Sequence, residues 1–418
     1  MRDALGEFQE FNRPLAQRNP ELFRVKVARM AADPFAFFRG TFHLFARDVL
    51  DKIHGAIPLL GEAGVEMDLI GDIHCENYGT YQATDSAVYY DINDFDETIQ
   101  GNPDFDVCRL AVSIFLASRV RGDPLADAMR ITLSALGIYT ELLPRFLKKG
   151  APVVSEYAEC GCSAIDDLVR AAAGFKRTEF IGKLTSVNNG QRRIARSRNY
   201  FNLPDDQREQ AVRLLEDFKS RMPTPNFPDF YKVEDVCGRV AGIGSMGRRR
   251  YAVLIGGKGG KDARNVIIEF KEARPSAYDL YRQRNHEPEA PARRAEEVIT
   301  RQRQMQGASS PYLGYAVDGG QSFQVREIGP HDFRVNLAGL KNIRMMEKVA
   351  GMQANLLARA HARSVAHAVG LVNPLAHIRD PEAFCQRVLT FALTYADVVK
   401  QDWTKFAGHR GDLEKWSG

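Results

Sequence analysis

Long apolar runs are missing from this 418-residue chain. No segment approaches the roughly 20 consecutive apolar residues that a membrane-crossing helix requires, so no membrane partner is expected. The opening residues Met1-Arg2-Asp3-Ala4-Leu5-Gly6-Glu7 carry acids and lack the apolar centre of a secretory signal; the expected location is the cytoplasm. Cysteine is scarce, with six residues at 75, 108, 160, 162, 237 and 385. The close pair Cys160-Gly161-Cys162 has neither a usual zinc nor a usual redox spacing, and reduced thiols are expected. An excess of one charge is lacking as well: 57 Lys and Arg against 53 Asp and Glu give a net charge of +4, and no nucleic-acid partner is expected. Arginine does gather at Arg192-Arg193, Arg196 and Arg198, at Arg248-Arg249-Arg250, and along Arg293, Arg294, Arg301 and Arg303. Runs of this kind are most often solvated faces. Internal repeats are absent, which argues against a solenoid.

What is present is an ordinary globular composition, 44% hydrophobic and 26% charged, in a chain long enough for two units of roughly 100 to 200 residues each. Helical patterning runs from Glu21 to Leu50, with Asp33-Pro34 as cap and first-turn proline. Short apolar runs at 67–70 and 87–90 read as strands, and helix returns from Phe105 to Leu143 with a break near Gly122-Asp123-Pro124. Residues 150–235 are polar and irregular, with a helix from Pro204 to Ser220. Strands are then expected at 239–243, 250–255, 265–270, 312–316 and 322–328, with one helix at 292–306 among them. The Gly256 to Lys261 stretch suits a hairpin, and the clearest closing helix is Met345 to Val369. Three regions follow: a helical lobe at 1–235, a sheet-rich lobe at 236–330, and helices at 331–418 that complete the first lobe.

The chemistry concentrates in Gly71-Asp72-Ile73-His74-Cys75-Glu76-Asn77, Tyr90-Asp91-Ile92-Asn93-Asp94-Phe95-Asp96 and Gly101-Asn102-Pro103-Asp104-Phe105-Asp106. A carboxylate that orients an attacking hydroxyl, with an Asn and an Asp that hold magnesium, is the set that phosphoryl transfer needs. Asp72 takes the first role; Asn77 and Asp94 take the second, with Asp91 or Asp96 able to exchange with Asp94. His74 orients the loop, and Asp106 supports it from the start of a helix. The competing reading is that these acids cap turns.

Further along, Gly242-Ile243-Gly244-Ser245-Met246-Gly247 lies between two expected strands. A dinucleotide fingerprint would instead open a helix, so the following strand favours a hairpin over phosphates, with backbone N–H groups turned to the oxygens. The strand Val266 to Lys271 ends in a lysine placed to grip phosphates. Glu296 or Glu297 on the next helix is expected to pair with it, Glu297 by helix phase. Arg326-Glu327-Ile328-Gly329 would connect the lobes, where an adenine would meet backbone groups.

The Asp-x-His-x-x-Asn spacing of Asp72, His74 and Asn77 resembles the catalytic loop of the aminoglycoside and choline kinase group, with Ile70 in place of the leading His. Asp94, Gly101, Pro103 and Asp106 fall into the same register. The order of the parts is reversed relative to those kinases, because the glycine loop and Lys271 follow the catalytic loop. The resemblance therefore implies an α+β, protein-kinase-like bilobal fold, circularly permuted, with a small antiparallel-sheet lobe and a large helical lobe. It also implies ATP and Mg2+, with Gly242, Gly244, Ser245, Gly247, Lys271, Glu297 and Arg326 around the nucleotide and an unidentified hydroxyl acceptor. A nucleotide-binding pseudokinase, an AMP-transferring enzyme of the same fold and a metal-dependent phosphoesterase are the rivals; the last lacks the further His ligands it needs. Across most of its length the chain resembles the bacterial family known as domain of unknown function 2252. That likeness is carried by Pro34 to Gly40, Gly71 to His74, Asn93 to Thr98, Gly242 to Gly247, Phe270 to Ala273 and Ala358 to Ser364, which include Arg39 and His361.

Overall fold

Proline and capping side chains set the first helices. The computed structural model describes residues 3–50, 66–151, 161–223, 226–242, 244, 246–258, 264–282, 292–366 and 378–418. It opens with α1 (Ala4–Arg18), α2 (Pro20–Met30), α3 (Pro34–Gly40) and α4 (Phe42–Leu50). Asn19 and Asp33 each accept a bond from the backbone N–H three residues on, at 2.9 and 2.7 Å, ahead of prolines whose missing N–H costs a first turn nothing.

Four short strands follow: β1 (Met67–Leu69), β2 (Tyr78–Gln82), β3 (Val88–Ile92) and β4 (Ile99–Gly101). β1 pairs with β4 and β2 with β3, both antiparallel. That pairing has a geometric consequence. Leu69 lies opposite Ile99 and Tyr78 opposite Ile92, so the two connecting turns, 70–77 and 93–98, must run side by side. Asn93 N–H donates to the Asn77 carbonyl at 2.9 Å where they meet. β2 is an element that the apolar pattern did not reveal, because Tyr78-Gly79-Thr80 lacks a run of aliphatic residues.

Helices α5 (Asp104–Arg121) and α6 (Leu125–Lys149) come next, then α7 (Ser163–Gly174), α8 (Arg177–Leu184), the hairpin β5 (Thr185–Asn188) and β6 (Gln191–Ile194), and β7 (Tyr200–Phe201). After α9 (Asp205–Ser220) the chain forms β8 (Val233–Arg239), β9 (Arg250–Ile255) and β10 (Val266–Glu272). α10 (Ala277–Arg282) and α11 (Arg294–Met305) precede β11 (Gly314–Asp318) and β12 (Gln321–Glu327); α12 (Ile343–Ala366), α13 (Pro381–Gly408) and α14 (Arg410–Lys415) complete it. Strands β7 to β12 make one antiparallel sheet of six in the order β11-β12-β10-β9-β8-β7. The strand expected over 239–243 is found instead at Val233–Arg239, and beyond it Val240 N–H donates to the Asn199 carbonyl at 2.9 Å rather than to β9. Positions 367–369 of the expected closing helix fall outside the described residues.

β9 is buried along its whole length because both faces of the sheet are covered. On one face Leu214, Leu215 and Phe218 of α9 pack on Val253, Ile268 and Phe270; on the other, Ile181 and Ile194 meet Ala252, Leu254 and Ile267. α9 and β7 precede residue 236 yet pack with this sheet. The larger core lies among the helices, where α12 lies along α6 and α13 along α5 and α6. Burial of each large apolar side chain there contributes roughly 1.5–3 kcal/mol. Among the described residues no helix is long and apolar enough to cross a membrane. The architecture is α+β, with the turns 70–77 and 93–98 lying between sheet and helices.

Candidate functional site

A single carboxylate holds the first turn in place. Asp106, in the first turn of α5, accepts the N–H groups of Ile70 and Gly71 at 2.8 and 2.9 Å. His361 of α12 lies 3.2 Å from the same carboxylate and bonds Tyr139 of α6 at 2.8 Å, so three helices fix the loop. Gly71 is demanded twice: its φ is +89°, and an added Cβ would lie 2.2 Å from the Glu97 carbonyl of the neighbouring turn.

Asp72 then faces Arg109, one turn beyond Asp106 on α5. Arg109 donates from Nε and Nη2 to Asp72 Oδ1 at 3.0 and 2.7 Å and stacks 3.5 Å above the Phe38 ring. Among the described residues Oδ2 receives no hydrogen bond. Burial pushes the Asp72 carboxyl up to about 7, with Glu97 and Asp94 adding to the effect and Arg109 opposing it. His74 is buried and its Nδ1 accepts the Glu76 N–H at 3.2 Å. Burial, with Arg39, Arg109 and Arg334 nearby, holds that imidazole well below its ordinary value and therefore neutral. Asn77 Nδ2 donates to the Asp72 carbonyl at 2.6 Å, which leaves its amide oxygen as the available acceptor.

The second turn carries the ion pairs. Lys271, near the end of β10, pairs with Asp96 and lies 3.5 Å from Asp94. Arg248 joins Asp96 at 3.3 Å and Glu97 at 2.7 Å. Burial opposes ionisation of Asp96, but Lys271 and Arg248 outweigh it and hold this carboxyl well below the usual range. Asp94 keeps 37% of its side chain exposed and is the acid of this turn most open to a ligand. Two expectations are corrected here. The acids that meet Lys271 are Asp96 and Asp94; Glu297 lies 3.7 Å from Arg294 instead, and Glu296 accepts from Tyr315. Asp91 is buried on the far side of β3, where it accepts the Gly307 N–H at 3.2 Å, and it is not in the wall of the cavity described next. Asp91 lies within β3 with its carboxylate taken up by the Ile92 and Gly307 N–H groups, whereas Asp94 lies in the turn beyond the strand and borders the cavity.

The connection from β8 to β9, described at 240–242, 244 and 246–249, borders the same cavity as these turns. Asp72, His74, Asn77, Asp94, Gly242, Gly244 and Gly247 all line one cavity of about 550 Å3. Ser245 lies outside the described residues. A smaller cavity of about 90 Å3 adjoins it, bounded by Lys271, Gln324 to Glu327 and Gly329, and shares Asp94, Asp96, Arg326 and Asp332 with the larger one. Behind them Glu269, fully buried, binds three guanidinium groups: Arg239, Arg250 at 2.9 Å and Arg326 at 2.8 Å. Arg248 and Arg250 are thus interior ion-pair partners rather than a solvated face.

A family model described as an uncharacterized protein conserved in bacteria (DUF2252) matches residues 18–409. The chain belongs to this family. No curated protein and no solved structure matches it. In this DUF2252 chain the stretches quoted from the sequence converge on the cavity: Arg39, Asp72, Asp94, Gly242, Gly244 and Gly247 border it, and His361 braces the Asp72 turn through Asp106. Arg109, Glu97 and Lys26 were missed. The signal for Arg109 was its helical spacing from Asp106 inside an otherwise apolar helix, since a guanidinium buried there must meet an acid.

Proposed function

We propose that this DUF2252 protein is an ATP- and magnesium-dependent phosphotransferase of a circularly permuted, protein-kinase-like fold, acting on the hydroxyl of a small acceptor. The observation that carries the reading is the shared wall: the acid turns and the glycine loop, far apart in sequence, border one cavity. Asp72 presents Oδ2 to the acceptor hydroxyl and takes its proton as the oxygen bonds to the γ-phosphorus and the bond to ADP breaks. Asn77 and Asp94 would hold Mg2+, which neutralises the phosphate oxygens. Among the described residues no three His, Cys, Asp or Glu side chains form a ready cage. Magnesium bound with a nucleotide needs only one or two protein ligands beside phosphate and water, so this set fits. Lys271 and the loop N–H groups grip the phosphates, and the smaller cavity beside β12 takes the base. With the end of α14 joined to the start of α1, the order of these parts becomes that of a kinase.

Thermal melting of the full chain with ATP, with Mg2+ and with both tests the reading. Stabilisation that requires both is expected, since a ligand at 100 times its Kd adds about 2.7 kcal/mol to the folded state. An unchanged melting temperature counts heavily against it. Asp72→Asn should keep the nucleotide response and lose γ-phosphate release. The product mass then separates added phosphate from added AMP.

A further inference from the structure

Most cations around the larger cavity are already matched to acids. Arg248 serves Asp96 and Glu97; Arg239, Arg250 and Arg326 serve Glu269; Arg274 serves Glu272 at 2.6 Å; Arg39 serves Glu76 at 2.6 Å. Two are not: among the described residues no carboxylate lies within ion-pair distance of Lys26 or Arg334. Both line the cavity, Lys26 from α2 and Arg334 from the strap after β12.

Lys26 is 1% exposed, and the hydrogen bond recorded for its ammonium runs to Asn12 Oδ1 at 2.8 Å. Asn12 is fixed in turn by donating to the Phe8 carbonyl at 2.8 Å. An ammonium has three donors, and burying its charge against a neutral amide is costly unless an anion completes the site. Burial and the nearby Arg248 pull Lys26 down to about 7, so its charge at neutral pH depends on what occupies the cavity. Arg334 stands exposed at the rim. It acts electrostatically on both Arg39 and His74, and Arg39 is coupled to Asp72. The unmatched positive charge therefore lies on the helical side of the cavity, with Lys26 in electrostatic reach of Arg248 and Arg334 in reach of Arg39 and His74. Phe11, Leu15 and Phe42 line the same side and suit a carbon skeleton.

We propose that the acceptor is a small hydroxylated molecule that also carries anionic groups, carboxylate or phosphate, one met by Lys26 and one by Arg334 with Arg39 beside it. The word acceptor rests on the transferase reading above; the anion site rests on the unmatched cations alone. An amine-bearing acceptor would be repelled, and a neutral polyol would leave Lys26 uncompensated.

The test titrates inorganic phosphate and citrate into the full chain at constant ionic strength, with and without saturating Mg2+ and a non-hydrolysable ATP analogue, and follows melting temperature. Stabilisation by at least one probe is expected to persist with the analogue bound, and whichever probe is stronger identifies the anionic group. Lys26→Met and Arg334→Ala should each weaken probe affinity by about tenfold or more, the scale of a lost charge-assisted hydrogen bond, while the analogue still stabilises the chain. Arg334 is exposed, so that variant keeps the test decisive if Lys26→Met fails to fold. No response to either probe, a response abolished by the analogue, or one indifferent to Arg334→Ala overturns the proposal. If ATP and Mg2+ give no shift while the probe response still depends on Lys26 and Arg334, the anion site stands and the transferase reading falls.

Discussion

Replacing Arg109 with Met should destabilise the protein in a pH-dependent way. The guanidinium is fully buried, donates twice to Asp72 and once to the Phe38 carbonyl at 2.9 Å, and is stacked 3.5 Å from the Phe38 ring. Met fills similar space without the charge. Breaking a buried pair by removing one partner costs about 3–5 kcal/mol, mostly because the other charge is stranded. Asp72 is already pushed up to about 7 by burial, so it can escape that cost by holding a proton. At pH 5 its carboxyl is neutral in both proteins and the loss should be smallest. Without Arg109 the carboxyl rises further, and each unit of that rise adds about 1.4 kcal/mol of destabilisation once the pH exceeds the new value. Urea unfolding at pH 5, 7 and 8.5, repeated in an Asp72→Asn background, measures this. Equal losses at pH 5 and 8.5, or an undiminished loss in the Asp72→Asn background, would refute the assignment of Arg109 as the partner of an ionised Asp72.

Glu269→Gln strands three guanidinium groups at a fully buried position and should cost about 3–5 kcal/mol by chemical denaturation; a loss below about 1 kcal/mol would contradict the triple pairing. Gly71→Ala places a Cβ 2.2 Å from the Glu97 carbonyl at φ +89°. Strain of at least about 1–3 kcal/mol and displacement of Asp72 should follow, lowering the melting temperature and any γ-phosphate release together; a variant with native stability would show that the two turns are not in contact. The pH profile carries its own sign. Asp72 has a folded value above its unfolded one, so the folded state binds the extra proton and this group's stabilising contribution is lost as pH rises from about 4 to about 7. Turnover moves the other way: a base must be ionised, so phosphate release at saturating nucleotide should climb through about pH 7, and a rate flat from pH 5 upward would remove Asp72 from that role.

The parts of the site legible in the sequence are those whose members sit within a few residues of each other. Asp72, His74 and Asn77 share one turn, Asp94 begins the next, and Asp106 opens the helix behind them; short connections leave such groups no freedom to separate. Lys271 was legible as a strand end because the run Val266-Ile267-Ile268 and Phe270 precede it, with Glu269 the one charged residue between. The glycine loop and the acid turns do border one cavity; what failed were particular side-chain pairings decided across the chain. Helix phase favoured Glu297 as the partner of Lys271, but phase only says which way a side chain leaves its own helix. The turn 93–98 lies between β10 and α11, with Arg294 donating to the Asp96 and Thr98 carbonyls at 3.0 and 2.8 Å. Asp96 therefore reaches Lys271, and Arg294 approaches Glu297 from the other side. The arginine run at 248–250 misled for a related reason. In an antiparallel strand alternate residues turn inward, so Arg250, opposite Lys271 in the ladder, meets the buried Glu269. Arg248, still in the loop, reaches the acids of the second turn. A charge cluster reads as solvated only while its counter-charges are out of view, and here Asp96, Glu97 and Glu269 supply them.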